Sequence, residues 1–336
     1  LYDIDSELDI LMTQDPANDG TLSTVGDLGI DFDSVGGFEI VTAGEGNNSG
    51  FAASNGTLYT IDLEDGTARN LGSLELADGL EIIGLTATGS AVVPPLTGTL
   101  GDDVITGTAD NDTLRGNDGN DIISGLGGSD DIFGGRGDDD LDGGAGDDNL
   151  RGLAGDDDMT GGGGSDRLLG NGGDDVMRGN AGEDTLRGGA GSDTLRGGGD
   201  SDVLRGAKDD DSLFGGAGDD TIRGGQGNDQ LFGNSGNDIL RADGGDDLLD
   251  GGLGDDEIRT GAGNDIVVLR AGAGTDTVFR FGVEGTDQFQ LDGISFGQLS
   301  LNVDGGNTSI VFGDETLAVV VRNGSLSQGD FTSVTA

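Results

Sequence analysis

The sequence contains no cysteine and no histidine, and aromatic residues make up only 4% of it. Without cysteine the chain forms neither disulfides nor thiolate metal sites, and without histidine it lacks the most frequent general base and a common zinc ligand. A hydrophobic content of 32% argues against one conventional core that spans the whole chain. These absences disfavour zinc enzymes and Ser-His hydrolases, and we predict that the chain is not an enzyme.

Positive charge is scarce as well. The chain has 16 Lys and Arg against 65 Asp and Glu, which gives a formal net charge of -49. Such an acidic excess repels phosphates and anionic lipid surfaces, so neither nucleic acid nor a membrane is a predicted partner. No apolar run reaches the ~18 residues that a membrane span needs. The composition instead favours metal cations as ligands.

Glycine is abundant, with 72 residues, and it is periodic. From Gly98 to Val268 the chain divides into 19 nonapeptides without insertion, and one further copy, Ala271 to Phe279, follows after a two-residue slip. The eighth position is always aliphatic or Met, and the sixth is always Asp. These aspartates are the predicted calcium ligands: Asp103, Asp112, Asp121, Asp130, Asp139, Asp148, Asp157, Asp166, Asp175, Asp184, Asp193, Asp202, Asp211, Asp220, Asp229, Asp238, Asp247, Asp256 and Asp265.

Each nonapeptide reads as a turn followed by a short strand. The Gly-x-x-Gly half can reach positive φ, and the last three residues form a strand whose eighth residue points inward. Two nonapeptides then make one coil, and stacked turns lie ~4.8 Å apart. Calcium takes six to eight oxygen ligands, so one ion can be shared by aspartates two repeats apart, such as Asp139 and Asp157. Two edges of such an array predict roughly 17 calcium ions.

The repeats "GGAGDDTIR" (Gly215 to Arg223) and "GGQGNDQLF" (Gly224 to Phe232) fit the pattern G-G-x-G-x-D-x-U-x. In this the chain resembles the RTX (repeats-in-toxin) calcium-binding family of bacterial proteins. The resemblance implies an all-β fold with a parallel β-roll and calcium bound by the sixth-position aspartates. It also implies type I secretion by an uncleaved C-terminal signal, and hence an extracellular or cell-surface location.

The segments on either side differ in composition. Residues 1–93 are predicted to be a small antiparallel β domain of two units, because "LYDID" (Leu1 to Asp5) recurs as "LYTID" (Leu58 to Asp62), each followed by an Asp-Gly-Thr turn. These units resemble propeller-like repeat domains of unassigned function. Residues 94–97 are a predicted linker, 98–279 the roll of about 19 repeats, and 280–336 a β-rich cap with the secretion-signal region.

Several segments depart from the pattern or fit other motifs. Asp200, Asp209, Ala242 and Thr260 replace turn glycines, and we predict weaker or altered ion binding around residues 197–211. "GISFG" around Ser295 fits the nucleophile elbow of α/β-hydrolases, but a chain without histidine lacks the usual base, so we interpret it as a turn of the cap.

Arginine occupies the ninth, outward position of nine repeats. Five of these arginines recur in every second repeat and should form a ladder on one face: Arg187, Arg205, Arg223, Arg241 and Arg259. Two interpretations remain open at this point. The ladder either compensates acidic charge, or it docks an acidic partner, such as the edge of a neighbouring copy or an anionic polysaccharide.

Together these features predict a secreted, calcium-binding structural or cell-surface protein. Its roll would fold on calcium binding outside the cell and assemble into a filament or layer. One alternative is a calcium-binding secretion module of a larger secreted enzyme, and another is an adhesin or carbohydrate-binding module.

Overall fold

The structure, a computed structural model, describes residues 2–5, 10–14, 22–27, 37–42, 48–54, 57–62, 68–73, 96–283, 285–304, 306–321 and 326–333. Strands dominate these residues. The only helical elements among them are two 3-10 helices, Phe296–Gln298 and Gln328–Asp330. The predicted all-β class is confirmed. Within the described ranges, no helix is long and apolar enough to cross a bilayer.

The N-terminal part forms two antiparallel sheets, one of three strands and one of four. The strands are β1 (Tyr2–Asp5), β2 (Ile10–Gln14), β3 (Leu22–Asp27), β4 (Gly37–Thr42), β5 (Asn48–Ser54), β6 (Thr57–Asp62) and β7 (Ala68–Ser73). Tyr2 to Asp5 of the first "LYDID" segment form β1, and "LYTID" lies in β6. The predicted Asp-Gly-Thr turns, residues 19–21 and 65–67, fall outside the described residues.

Twenty-two parallel strands follow, eleven in each of two sheets. They are β8 (Leu96–Thr97), β9 (Val104–Thr106), β10 (Thr113–Asp118), β11 (Ile122–Ser124), β12 (Asp131–Arg136), β13 (Asp140–Ala145), β14 (Asn149–Ala154), β15 (Asp158–Gly163), β16 (Arg167–Gly172), β17 (Val176–Ala181), β18 (Thr185–Ala190), β19 (Thr194–Gly199), β20 (Val203–Lys208), β21 (Ser212–Ala217), β22 (Thr221–Gln226), β23 (Gln230–Ser235), β24 (Ile239–Gly244), β25 (Leu248–Leu253), β26 (Glu257–Ala262), β27 (Ile266–Arg270), β28 (Asp276–Phe279) and β29 (Gln288–Asp292).

Each of these strands pairs with the strand two places along the chain, so even and odd strands build separate sheets. In the regular part the register is two repeats: Leu204 lies opposite Leu186 on one side and Ile222 on the other. The eighth-position side chains of both sheets meet between them, and all are at most 4% exposed from Ile105 to Val267. This narrow double column is the core of a parallel β-roll.

Three expectations about the roll were wrong. It contains 22 strands, or about 11 two-strand turns, over residues 96–292, whereas 19 repeats supply 19 strands, because parallel pairing also includes β8, β28 and β29. It begins at Leu96, inside the predicted linker 94–97, since Leu96 pairs with Leu114. Most strands are six residues long rather than three, because pairing with the neighbouring coil continues through the first three positions of the next repeat.

A meander of three antiparallel strands covers the C-terminal end: β30 (Leu299–Asp304), β31 (Asn307–Phe312) and β32 (Glu315–Val321). β32 continues one sheet beside β28, and β33 (Phe331–Ser333) continues the other beside β29. The rings of Phe281 and Phe289 stack 4.1 Å apart at the end of the core column. Aromatic rings therefore close the end of the aliphatic core.

Candidate metal centre

Glycine occupies three positions of the repeat for different reasons. The second and fourth positions adopt positive φ, as at Gly216 (119°) and Gly218 (125°), which corrects the expectation that the first and fourth do so. The first position shows no positive φ but has no room for a side chain. A Cβ at Gly233 would overlap Oδ2 of Asp238 and the carbonyl oxygen of Gly251 in the next coil. The first glycine thus leaves a space that oxygen atoms surround.

The sixth-position aspartates lie at the two edges of the roll, and all are at most 5% exposed. From Asp121 to Asp265, each Oδ1 atom accepts a hydrogen bond from the backbone N–H of the sixth-position Asp in the preceding coil. Asp139 N–H donates to Asp157 at 2.9 Å, and Asp148 N–H donates to Asp166 at 2.8 Å. The predicted pairing of aspartates two repeats apart is therefore present, and it fixes one oxygen of each carboxylate.

The other oxygen, Oδ2, is buried and has no hydrogen-bond partner at 17 of these positions, as far as the described residues show. The 17 are Asp121, Asp130, Asp139, Asp148, Asp157, Asp166, Asp175, Asp184, Asp193, Asp202, Asp211, Asp220, Asp229, Asp238, Asp247, Asp256 and Asp265. Buried carboxylate oxygens without a partner are costly, and a coordinated cation is the usual compensation. The pattern repeats at every coil interface inside the roll.

Burial strongly disfavours the ionised form of these carboxylates. Desolvation raises the pKa of Asp157 from 3.8 to about 7, although the N–H of Asp139 lowers it and the carboxylates of Asp175 and Asp139 raise it further. The pKa of Asp211 rises in the same way to about 8. At neutral pH the array therefore holds charge that its protein surroundings do not compensate.

The donor set fits calcium. Carboxylate and carbonyl oxygens are the ligands this hard cation prefers, and it takes six to eight of them. Three or more acidic side chains converge nowhere in the described ranges. Each site therefore has to combine the carboxylate Oδ2 with carbonyl oxygens of the turns, such as that of Gly251 beside Asp238.

Comparison with protein families gives the same assignment. The RTX calcium-binding nonapeptide repeat matches just over half of the chain, in residues 97–132, 133–168, 160–195, 169–204, 196–231 and 232–267. The chain belongs to the RTX calcium-binding nonapeptide repeat family. Residues 1–86 match a domain of unknown function, DUF4394.

Other comparisons add little. No curated protein matches the chain. Among solved structures, the extracellular lipase LipA from Serratia marcescens is similar at 16% identity and a TM-score of 0.28. The alignment covers 68% of this chain and 39% of the lipase, so the chain spans well under half of that protein.

At both ends of the RTX roll, the second carboxylate oxygen of the column aspartates accepts hydrogen bonds from the protein itself. Oδ2 of Asp103 accepts hydrogen bonds from the N–H and hydroxyl of Thr99 at 2.6 and 3.0 Å, and Thr108 does the same for Asp112. At the other end Oδ2 of Asp287 accepts from the N–H of Gly282 at 2.6 Å. The two predicted ligands in the first coil thus differ from the other 17, because their second oxygen is already satisfied.

Sequence reasoning missed two features of the RTX turns. Asp276 and Asp287 continue the aspartate columns beyond Asp256 and Asp265, and neither was among the predicted ligands: Asp276 lies in the further copy Ala271 to Phe279, and Asp287 follows insertions that total four residues. The fifth position forms a second ladder, in which the side chain accepts from the N–H two repeats later, as Asp156 does from Asp174 at 2.8 Å. A signal was present, since the fifth position is Asp, Asn, Ser or Glu in all 19 repeats.

The departures from the RTX pattern keep the turn but change its dihedral angles. Asp200 and Asp209 have positive φ, at 70° and 68°, where the positive-φ glycines of the fourth position lie at 106° to 138°. Oδ1 of Asp202 and of Asp211 keeps its hydrogen bond from the preceding coil, at 2.8 and 2.9 Å. Altered ion binding around residues 197–211 stays a prediction.

The remaining candidate residues take other positions. The five ladder arginines lie side by side in one sheet, and all five are exposed. On the other sheet the rings of Phe214 and Phe232 stack 5.0 Å apart. Ser295 caps a 3-10 helix and bonds Gln298 at 2.9 Å, so "GISFG" does not form the strand-to-α-helix turn of a nucleophile elbow.

Proposed function

We propose that the chain is a secreted calcium-binding protein with a structural or surface role, whose roll folds when it meets calcium outside the cell. One observation carries this proposal: 17 buried carboxylate oxygens, one in each repeat from Asp121 to Asp265, have no protein partner among the described residues. When bound, calcium supplies the positive charge that these oxygens need. Secretion is supported by membership of a family whose proteins are typically exported.

The chain's own residues explain the dependence on calcium. The arginines that could neutralise the aspartates stand on the sheet faces, whereas the aspartates lie at the turns. Hydrophobic burial amounts to one aliphatic side chain per nine residues, which gains ~1.5–3 kcal/mol. Ordering the backbone of nine residues costs ~1–2 kcal/mol for each. Metal binding and folding are therefore coupled in this protein.

Assembly into a filament or layer belongs to the same proposal. Each sheet of the roll ends at its N-terminal side in a short parallel strand, β8 or β9, with no further strand paired to it within the described residues. Val104 in β9 and its neighbour Ile122 are 41% and 51% exposed. An unpaired strand edge with apolar side chains supports end-to-end association. We propose no catalytic role for these 336 residues, because they contain no histidine.

The test is a calcium titration of an EDTA-stripped sample, followed by far-UV circular dichroism and light scattering together. We expect a cooperative gain of β signal, with magnesium as a control that fails to produce it because it demands a smaller, octahedral site. Growth in particle size with folding would support assembly, and folding without growth would remove that part of the proposal. A full β signal in EDTA at neutral pH would refute calcium-dependent folding.

A further inference from the structure

The arginine ladder borders a groove on the sheet that contains β16, β18, β20 and β22. The groove has a volume of about 750 Å³. Five positively charged residues line it: Arg167, Arg187, Arg205, Lys208 and Arg223. The whole chain has only 16 such residues and a net charge of -49. Nearly a third of its positive charge is thus gathered in one depression.

Local charge compensation does not account for these side chains. Arg223 pairs with Asp243, which also lines the groove. Arg187 and Arg205 make no ion pair with any described residue, although acidic residues outnumber basic ones about fourfold. Their positive charges are turned to solvent. This favours the interpretation that the ladder docks an acidic partner.

The shape of the groove favours an extended occupant. Its floor contains small residues from the first three positions of a repeat, such as Gly188, Gly189 and Ala190. Arginines of the ninth position border it on one side and Lys208 of the third position on the other, about 10 Å apart along a strand. Successive arginines repeat once per coil, which is ~4.8 Å.

We propose that this groove binds a linear anionic polysaccharide that carries one carboxylate on each sugar, a polyuronate. Such a polymer lies along the roll axis in step with the coils, because a sugar ring and a coil are similar in length, and the carboxylates that face the sheet lie beside guanidinium groups. Guanidinium groups bind carboxylates through paired hydrogen bonds. The inference rests on the proposed calcium-dependent fold, and it names a partner for it.

Other acidic polymers fit less well. In a DNA duplex the phosphates of one strand advance ~3.4 Å along the helix axis, which does not match the coil repeat. No aromatic ring that could stack on bases lines the groove. The edge of a second copy would offer its fifth-position acids, but their longest run in one column is three, Asp138, Asp156 and Asp174, before Ser192 interrupts it. The net negative charge of the chain repels an anionic partner only weakly at the groove, because distant charges are screened beyond ~10 Å.

The experiment measures fluorescence anisotropy of a short labelled oligogalacturonate with the full chain in calcium. A short oligomer avoids the gels that long polyuronates form with this cation. The variant Arg187→Ser/Arg205→Ser is expected to bind roughly tenfold more weakly, as the loss of two exposed ion pairs implies. The matched control is Arg178→Ser/Arg196→Ser, which removes two neighbouring ninth-position arginines from the opposite sheet. It should bind like the unchanged protein.

Circular dichroism in calcium checks that each variant folds, so a failure of the fold is distinguished from a failure of binding. Lys208→Ser is a second groove variant, for which a severalfold loss is expected. Equal losses in the groove and control variants would overturn the proposal, as would equal binding of the methyl-esterified oligomer. Preference for single-stranded DNA would also overturn it. So would concentration-dependent self-association that Arg187→Ser/Arg205→Ser abolishes while the oligomer fails to bind.

Discussion

Replacing one buried aspartate by asparagine separates the two roles of the carboxylate. Asp238 is 1% exposed, and its Oδ1 accepts the N–H of Asp220 at 2.8 Å. Asn retains this acceptor, and its amide nitrogen can donate to the carbonyl oxygen of Gly251, which borders the same space as Oδ2. Asp238→Asn therefore removes a charge and a metal ligand with little change in shape.

The structure sets the magnitude of both effects. Burial raises the pKa of Asp238 from 3.8 to about 7. Since each pKa unit corresponds to 1.36 kcal/mol, the charged carboxylate destabilises the metal-free roll by up to about 4 kcal/mol at pH 8. Asp238→Asn should therefore stabilise the metal-free roll. The same variant should gain less from calcium, by about 2.7 kcal/mol for one site at a hundredfold excess over its dissociation constant.

The assay at pH 8 has two parts: the roll is unfolded with urea in calcium, and in EDTA it is refolded with increasing sucrose, which favours the compact state. The matched control is Asp246→Asn, at the exposed fifth position, where Asn also keeps the hydrogen bond from the N–H of Asn264. The control should change either unfolding free energy by no more than about 0.5 kcal/mol. A weaker metal-free roll in Asp238→Asn would refute the cost assigned to the buried charge. An equal loss of the calcium response in both variants would show that the buried carboxylates are not the metal ligands.

Two further predictions follow from the same geometry. Burial raises the folded-state pKa of the interior aspartates to about 6 to 8. The metal-free roll should therefore be most stable below about pH 4 and should lose stability as the pH rises from there through 6 to 8. A β signal in EDTA that grows with pH would contradict this. Gly188→Ala should lower the free energy of unfolding in calcium by about 1–3 kcal/mol, because its Cβ would overlap Oδ2 of Asp193. The control Gly163→Ala has nothing within 4 Å of its Cβ, and in the same urea melts it should be neutral or slightly stabilising.

The phase of the repeat was predictable because two residue types are tied to it. Every eighth-position aliphatic residue predicted from the sequence is buried, and aspartates two repeats apart are neighbours. Strand length was not predictable from alternation, because glycines such as Gly215 and Gly216 in β21 carry no side chain that marks an inward or outward face. The pattern of glycines also did not separate those that need positive φ from those that leave room for oxygen atoms.

The ends of the array were harder to predict than its middle. Thr99 and Thr108 stand at the second position of the repeat, where the pattern has glycine, and the pattern alone does not show that they donate hydrogen bonds to Asp103 and Asp112. At the other end Asp287 joins the column after an insertion that the repeat count cannot follow. Such contacts depend on which coil is terminal, which periodicity alone does not specify.

The separation of even and odd strands into two sheets has a consequence for how the chain can change in length. All repeats carry an aliphatic residue in the eighth position, so removing one repeat would leave the core and both edges continuous. The same deletion would move every downstream repeat to the opposite sheet. If the deleted repeat is the one that follows Arg205, the arginine ladder breaks between Arg205 and Arg223, and each half stays intact. Removing two consecutive repeats would change only the length. The interior of this molecule thus has a period of one repeat, whereas each of its surfaces has a period of two. Insertions or deletions that preserve a binding face must therefore come in pairs of repeats.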